Sequence, residues 1–266
     1  RTESRDCARR CRSHTAALAV ISQPCHHLRV QQRLPSLLDP PIAFAHRGAK
    51  AYAPENTIEA FQLALRLGAT GLESDVWVTS DGIAVLDHDG IVRRRGRKIP
   101  ISEVSRVELP KHIPTVAEML EAVPGDFDFS LDVKDPASLL PTLNAIREVK
   151  PDLEPRLWLC HHNWHIVAEW RSLTEAKLVD STRLIRLKDG PERRAAQLHE
   201  AGIDCINMHH TDWNGGLVTL FHRFNRYALG WDMQQDYVLN EGIRMGLDGV
   251  FSDYTDRMID AFARNV

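Results

Sequence analysis

Four short groups of residues carry side chains that can move protons, hold a cation and bind an anion. His46-Arg47-Gly48 joins an imidazole that titrates near neutrality, a planar guanidinium fork suited to phosphate oxygens, and a glycine that lets the backbone approach a ligand. Glu73 and Asp75 stand two residues apart, the spacing that puts side chains on one face of a strand. Two neighbouring carboxylates repel unless a cation joins them, and a hard divalent ion with oxygen ligands answers that need. An arginine or lysine in a purely structural network answers it too. Asp132 and Lys134 repeat the spacing. Asp132 is then a third candidate carboxylate ligand and Lys134 a point charge for phosphate, or the two pair with each other. His88 lies between Asp87 and Asp89 and supplies a second imidazole. Two histidines beside a carboxylate-held metal form a hydrolytic toolkit, with one imidazole as base and the other as acid.

These groups need elements that bring them to one place. Apolar runs consistent with strands occur at 42–46, 71–78, 127–133, 156–161, 176–180, 204–208, 226–231 and 249–252, with helical patterns between most of them. The run 83–88 follows Thr79-Ser80-Asp81-Gly82, a hairpin turn, so it pairs antiparallel with the preceding strand and stands outside the parallel set. Eight β/α units in about 227 residues suit a single closed (β/α)8 TIM-type barrel with one extra hairpin strand after its second strand. A doubly wound open sheet is the runner-up, weakened because no glycine-rich nucleotide loop follows the first strand. In a barrel the strand C-termini converge on one mouth, and every group named above lies at or near such an end. Asn56 is the expected N-cap of the first helix, with Glu59 as its capping-box partner and Gly68 as its stop.

Composition narrows the function classes. With 43% hydrophobic and 26% charged residues the chain is a globular protein rather than a disordered one. A net charge of -3 argues against a nucleic-acid binder, and no apolar run is long enough to span a membrane. Residues 1–39 differ from the rest: seven arginines and no lysine, with Cys7, Cys11 and Cys25 among them. The run Ala16 to Ile21 falls short of a secretory core of about 7–15 residues. Glu3 and Asp6 count against a transit peptide, and Cys7, Cys11, Cys25 and His26 follow no standard zinc-finger spacing. Residues 1–39 are expected to be a disordered leader and 40–266 the barrel domain. Cys160 and Cys205 read as ordinary buried thiols, consistent with a reducing, cytoplasmic setting.

In the order His46-Arg47-Gly48, Pro54-Glu55-Asn56-Thr57, Glu73-x-Asp75, Ser80-Asp81-Gly82, His88-Asp89, Ile113-Pro114-Thr115, Leu131-Asp132-Val133-Lys134, Trp231 and Asp248-Gly249-Val250-Phe251-Ser252-Asp253, the chain resembles the glycerophosphodiester phosphodiesterases. The likeness spans the body from about residue 42 onward. It implies a phosphatidylinositol-phospholipase-C-like barrel and metal-dependent cleavage of deacylated phospholipids to glycerol 3-phosphate and an alcohol. By position it implies His46 and His88 as the acid/base pair and Glu73, Asp75 and Asp132 as ligands of one calcium or magnesium ion. Arg47 and Lys134 then face the phosphate, Glu55 supports the rim and Trp231 lines the pocket. The third ligand position is usually Glu in that family and is Asp132 here. Asp232-Met233-Gln234 stands where Thr-Val-Asn is common after the tryptophan, and Cys160 to Trp164 where a Ser-Phe pair is common. His161 and His162 either touch substrate or form part of the rim.

The expected partner is a small phosphodiester. The run Arg93-Arg94-Arg95-Gly96-Arg97-Lys98 either draws anionic substrate or a lipid surface towards the mouth, or is a solvated loop. Two other functions stay open. A phospholipase-D-like enzyme acting on lysophospholipids would need an apolar groove beside the mouth. A barrel that binds without turnover would have Asp132 as its foothold.

Overall fold

A computed structural model describes residues 33–94 and 96–266. The expected leader, with its cysteine and histidine cluster, lies almost wholly outside the described residues.

The chain runs β1 (Ile42–Ala45), α1 (Ile58–Arg66), β2 (Gly71–Val78), β3 (Ala84–Leu86), β4 (Ile91–Arg94), β5 (Arg97–Pro100), α2 (Val116–Ala122), β6 (Asp128–Val133), α3 (Leu139–Val149) and β7 (Leu157–His161). It continues through α4 (Trp164–Glu169), β8 (Lys177–Thr182), α5 (Pro191–Glu200), β9 (Cys205–His209), α6 (Gly215–Arg223), β10 (Tyr227–Trp231), α7 (Asp236–Arg244), β11 (Gly249–Ser252) and α8 (Thr255–Asn265). The sheet order is β1-β11-β10-β9-β8-β7-β6-β2-β3, and β1 also pairs with β2. That last pairing, Phe44 with Gly71 and Ala45 with Leu72, closes a parallel eight-stranded barrel and excludes the open sheet. β3 pairs antiparallel with β2, the one strand of that sheet outside the barrel.

Strand parity sorts the side chains. In β2, Leu72 and Val76 join the apolar layer beneath the helices, while Glu73 and Asp75 line the mouth. In β6, Phe129, Leu131 and Val133 face the helices and Asp132 the mouth. The lower barrel is plugged by Phe44, Trp158, Val179, Cys205, Leu229 and Phe251, with Phe44 stacked on Phe251 at 4.6 Å. The polar pocket therefore has an apolar floor and lies at the C-terminal ends of the strands.

Two local expectations change. Thr57, not Asn56, caps α1, its hydroxyl accepting the Ala60 N–H at 3.2 Å. Asn56 has a positive φ of 56° and turns its amide towards Ser74 and Asp75. Of the basic run, Arg93 and Arg94 lie in β4 and Arg97 and Lys98 in β5, a hairpin that pairs Arg93 with Lys98 and Arg94 with Arg97. It covers a small apolar cluster that includes Val92, Ile101 and Val104. Among the described residues no helix is long and apolar enough to cross a membrane.

Candidate active site

The turn after β1 is built by backbone geometry. Arg47 has φ +52° and Gly48 φ +77°. A Cβ on Gly48 would lie 2.7–2.9 Å from Ala60, so only glycine fits the close approach of this turn to α1. The turn places His46 inside the rim. Its Nδ1 lies 2.5 Å from Asp253 Oδ1 and its Nε2 3.8 Å from Glu73 Oε2. Burial pulls the His46 pKa down, but Glu73 and then the Asp253 hydrogen bond outweigh it, and the net shift is upward.

Glu73 and Asp75 are 7% and 2% exposed. Burial pushes the Glu73 carboxyl well above the ordinary carboxylate range. Its Oε2 accepts the Arg47 N–H at 2.9 Å. Asp75 and Asp132 are register partners on adjacent strands, so their carboxylates project side by side. Lys134 Nζ sits between them, 3.0 Å from Asp75 and 2.5 Å from Asp132. Burial lowers the Lys134 pKa, yet Asp132 and Asp75 more than compensate and hold it above its ordinary value. The structural pairing of Asp132 with Lys134 is thus present, and it lies within the pocket rather than away from it.

The donor set suits a hard divalent cation. Glu73, Asp75 and Asp132 offer oxygen ligands, and the ammonium between two of them marks a place where positive charge is held. Arg47 Nε is buried, lies 3.3 Å from Asp75 Oδ2 and makes no hydrogen bond, so it keeps unused donor capacity at the same carboxylate.

The pocket encloses about 340 Å³ and is lined by His46, Arg47, Glu73, Asp75, Asp132 and Lys134 on one side. Cys160, Ser181, Asn207, Trp231, Asp232, Gln234 and Phe251 complete it. Seven of the residues singled out by sequence thus meet in one cavity. Glu55 stands behind it, accepting from Arg47 Nη1 at 3.1–3.2 Å, with Lys50 at 3.5 Å. His88 does not line the cavity. Its side chain is half-exposed and its Nδ1 lies 2.8 Å from Asp89. The Asp87 N–H donates to the Asp75 carbonyl at 3.1 Å, which ties this segment beside β2. His161 is buried against Trp170 and also stays out of the cavity lining.

Sequence reasoning gave no individual role to Asp253 or Gln234, and gave Asn56 only that of a helix cap. Asp253 holds His46, and Gln234 Oε1 accepts the Asp253 N–H at 2.9 Å. Asn56 Nδ2 donates to Asp75 at 3.3 Å. Asp253 and Asn56 lay inside the quoted motifs, and this was the available signal.

Comparison with known proteins agrees with this geometry. The profile of the glycerophosphoryl diester phosphodiesterase family matches residues 46–257. A glycerophosphodiester phosphodiesterase of Caldanaerobacter subterraneus subsp. tengcongensis is 25% identical over 253 residues, covering 82% of this chain and 96% of its own. Human glycerophosphodiester phosphodiesterase 1 is 56% identical over 52 residues, 20% of this chain and 16% of its own. Among solved structures, an Oleispira antarctica phosphodiesterase in complex with the product sn-glycerol-3-phosphate superposes with a TM-score of 0.72 at 21% identity. It covers 84% of this chain and 97% of that one. The structural likeness shows the shared barrel. The profile match runs from His46 at the tip of β1 to Arg257 in α8 and takes in the whole charged pocket, so the chain belongs to the glycerophosphoryl diester phosphodiesterase family.

Proposed function

We propose that this chain hydrolyses glycerophosphodiesters to sn-glycerol 3-phosphate and an alcohol, with His46 and His88 as the acid/base pair. The observation that carries this reading is the convergence of three carboxylates, Arg47, Lys134 and His46 on one barrel mouth. Glu73, Asp75 and Asp132 would hold one divalent cation, calcium or magnesium. Such an ion polarises a phosphoryl oxygen and offsets charge that develops on it.

The side chains do the rest. Arg47 presents a guanidinium fixed by Glu55 and Asp75 and binds the phosphodiester oxygens. Lys134 adds a compact positive charge beside them. His46 is oriented through Nδ1 by Asp253, so its Nε2 is the atom that exchanges a proton at the reacting phosphate. His88, in the segment tied beside β2 by the Asp87 N–H, is the partner that transfers the second proton. Trp231 forms an apolar wall against the glycerol or the head group. The product named for the Oleispira antarctica structure, sn-glycerol-3-phosphate, supports this substrate class.

The test is glycerol 3-phosphate release from glycerophosphocholine and glycerophosphoethanolamine after chelation, with magnesium or calcium restored. Turnover should return with metal, and His46→Ala and His88→Ala should each lower it by about 10²–10⁴-fold. Turnover in EDTA equal to that with metal would refute the metal dependence. Full activity in His88→Ala would remove that residue from the pair.

A further inference from the structure

His209 and His210 have no part in the reaction above. Successive strand residues point to opposite faces. Here β9 ends at His209 and the chain turns at once into a 3-10 turn, His210–Asp212. The two imidazoles therefore finish side by side, with ring centroids 4.4 Å apart and planes tilted by 34°. Asp232 reaches the same spot from the neighbouring strand. Trp231 is the register partner of His209, and Asp232 follows it in the left-handed conformation, φ +61°. Its Oδ2 lies 3.1 Å from His209 Nε2. One ligand atom from each of His209, His210 and Asp232 lies within 4.8 Å of the other two. Among the described residues, no other three His, Cys, Asp or Glu side chains gather so closely.

We propose that His209, His210 and Asp232 form a binding site for a zinc-class divalent ion (Zn²⁺, Ni²⁺ or Co²⁺) on the rim of the barrel mouth. It shares no ligand with the Glu73, Asp75 and Asp132 cluster.

The donors set the class of ion. Two imidazole nitrogens and one carboxylate oxygen suit zinc, nickel and cobalt, whereas magnesium and calcium favour oxygen alone. Bonds of about 2.0–2.2 Å place two ligand atoms of a tetrahedral ion roughly 3.3 Å apart. The His209–Asp232 separation of 3.1 Å is already close to that. The ligands are braced from behind. Trp231 packs edge-on against His209 at 4.6 Å, and Gln234 Nε2 donates to the other Asp232 oxygen at 3.2 Å. Asp232 is exposed and lines the cavity, so an ion can enter from solvent.

Proton positions are compatible with binding. His209 Nδ1 accepts the Thr211 N–H at 3.2 Å, which leaves the ring proton on Nε2, facing Asp232. An ion at Nε2 requires the ring proton to move to Nδ1, which gives up the Thr211 N–H bond and donates instead to Thr211 Oγ1 at 2.7 Å. The ring stays neutral and releases no net proton.

The test counts Ni²⁺ and Zn²⁺ bound by the metal-free full-length chain in calorimetric titrations, comparing variants with wild type. Ions taken up by Cys7, Cys11, Cys25 or the carboxylate pocket are common to both and cancel in the difference. His210→Ala and Asp232→Ala should each lose one Ni²⁺ equivalent or weaken it at least tenfold. Thr211→Val should weaken it about tenfold. Glu73→Gln should keep it, and excess Mg²⁺ or Ca²⁺ should not displace it. A folded His210→Ala that binds the same number of ions with the same affinity would overturn the proposal. So would displacement by equimolar Mg²⁺. If His210→Ala fails to fold, zinc-edge anomalous scattering from soaked wild-type crystals decides. A peak among the three residues supports the site, and peaks only elsewhere refute it.

Discussion

His46 shows how far a single residue can be read from sequence. Its type and its place at a strand tip were legible. The group that orients it was not, because Asp253 lies 207 residues away and approaches only when the barrel closes. The same holds for Asn56, whose contact with Asp75 depends on the turn after β1 meeting β2. Glu73, Asp75 and Asp132 were legible because strand parity alone sends them to one side. Lys134 was left between two roles, and the structure puts it between two carboxylates inside the pocket. Asp253→Asn tests the orienting bond. The amide keeps the size but gives up the charge-assisted contact with Nδ1. Loss of alignment on the order of 1 Å costs about 10²-fold, so kcat should fall by about that factor while KM moves little. A steady-state comparison at fixed metal checks this. An unchanged kcat would show that His46 is positioned by the β1 turn alone.

At the scale of elements, periodicity found the barrel strands to within two residues, because each alternates between a helix-facing apolar set and an axis-facing set. It missed the β4–β5 hairpin. Four of the hairpin's described residues are basic, and its apolar content is confined to Ile91, Val92 and Ile99, too little for a periodic signal. It also misplaced the α1 cap by one residue, since Asn and Thr are both good caps and only the tertiary contact of Asn56 decides between them. The β1–α1 turn has the most demanding local geometry near the site. Gly48→Ala would set a methyl against the Ala60 backbone at 2.7 Å in a left-handed conformation. The expected cost is about 1–3 kcal/mol, read as a lower denaturant midpoint. Activity should fall further than stability, because Arg47 and His46 share the displaced turn. Equal stability of variant and wild type would show that α1 yields without strain.

Across the whole molecule, the two ends of the barrel divide the work. The C-terminal mouth carries the charged pocket, and the opposite end is fastened by one buried carboxylate. Asp248 precedes β11 and is fully buried. Its Oδ1 accepts from Ser36 Oγ at 2.8 Å and from the Leu37 and Leu38 N–H groups at 2.6 and 3.1 Å. Its Oδ2 accepts from the Ala228 N–H at 2.7 Å and lies 2.8 Å from His222 Nε2. One side chain thus joins the segment before β1, the start of β10 and the helix α6. Asp248 was quoted only within a stretch that carries the family likeness, and the fold puts it at the stability end. Asp248→Asn keeps the shape while turning one acceptor into a donor that faces other donors. Leaving such buried groups unsatisfied should cost on the order of 3 kcal/mol. The chemistry lies at the far end, so kcat/KM of the folded fraction should stay within about twofold of wild type. Chemical denaturation followed by assay of the folded variant measures both quantities. A large loss of kcat/KM with stability intact would mean that Asp248 acts on the mouth through β11, and the division between the two ends would fail.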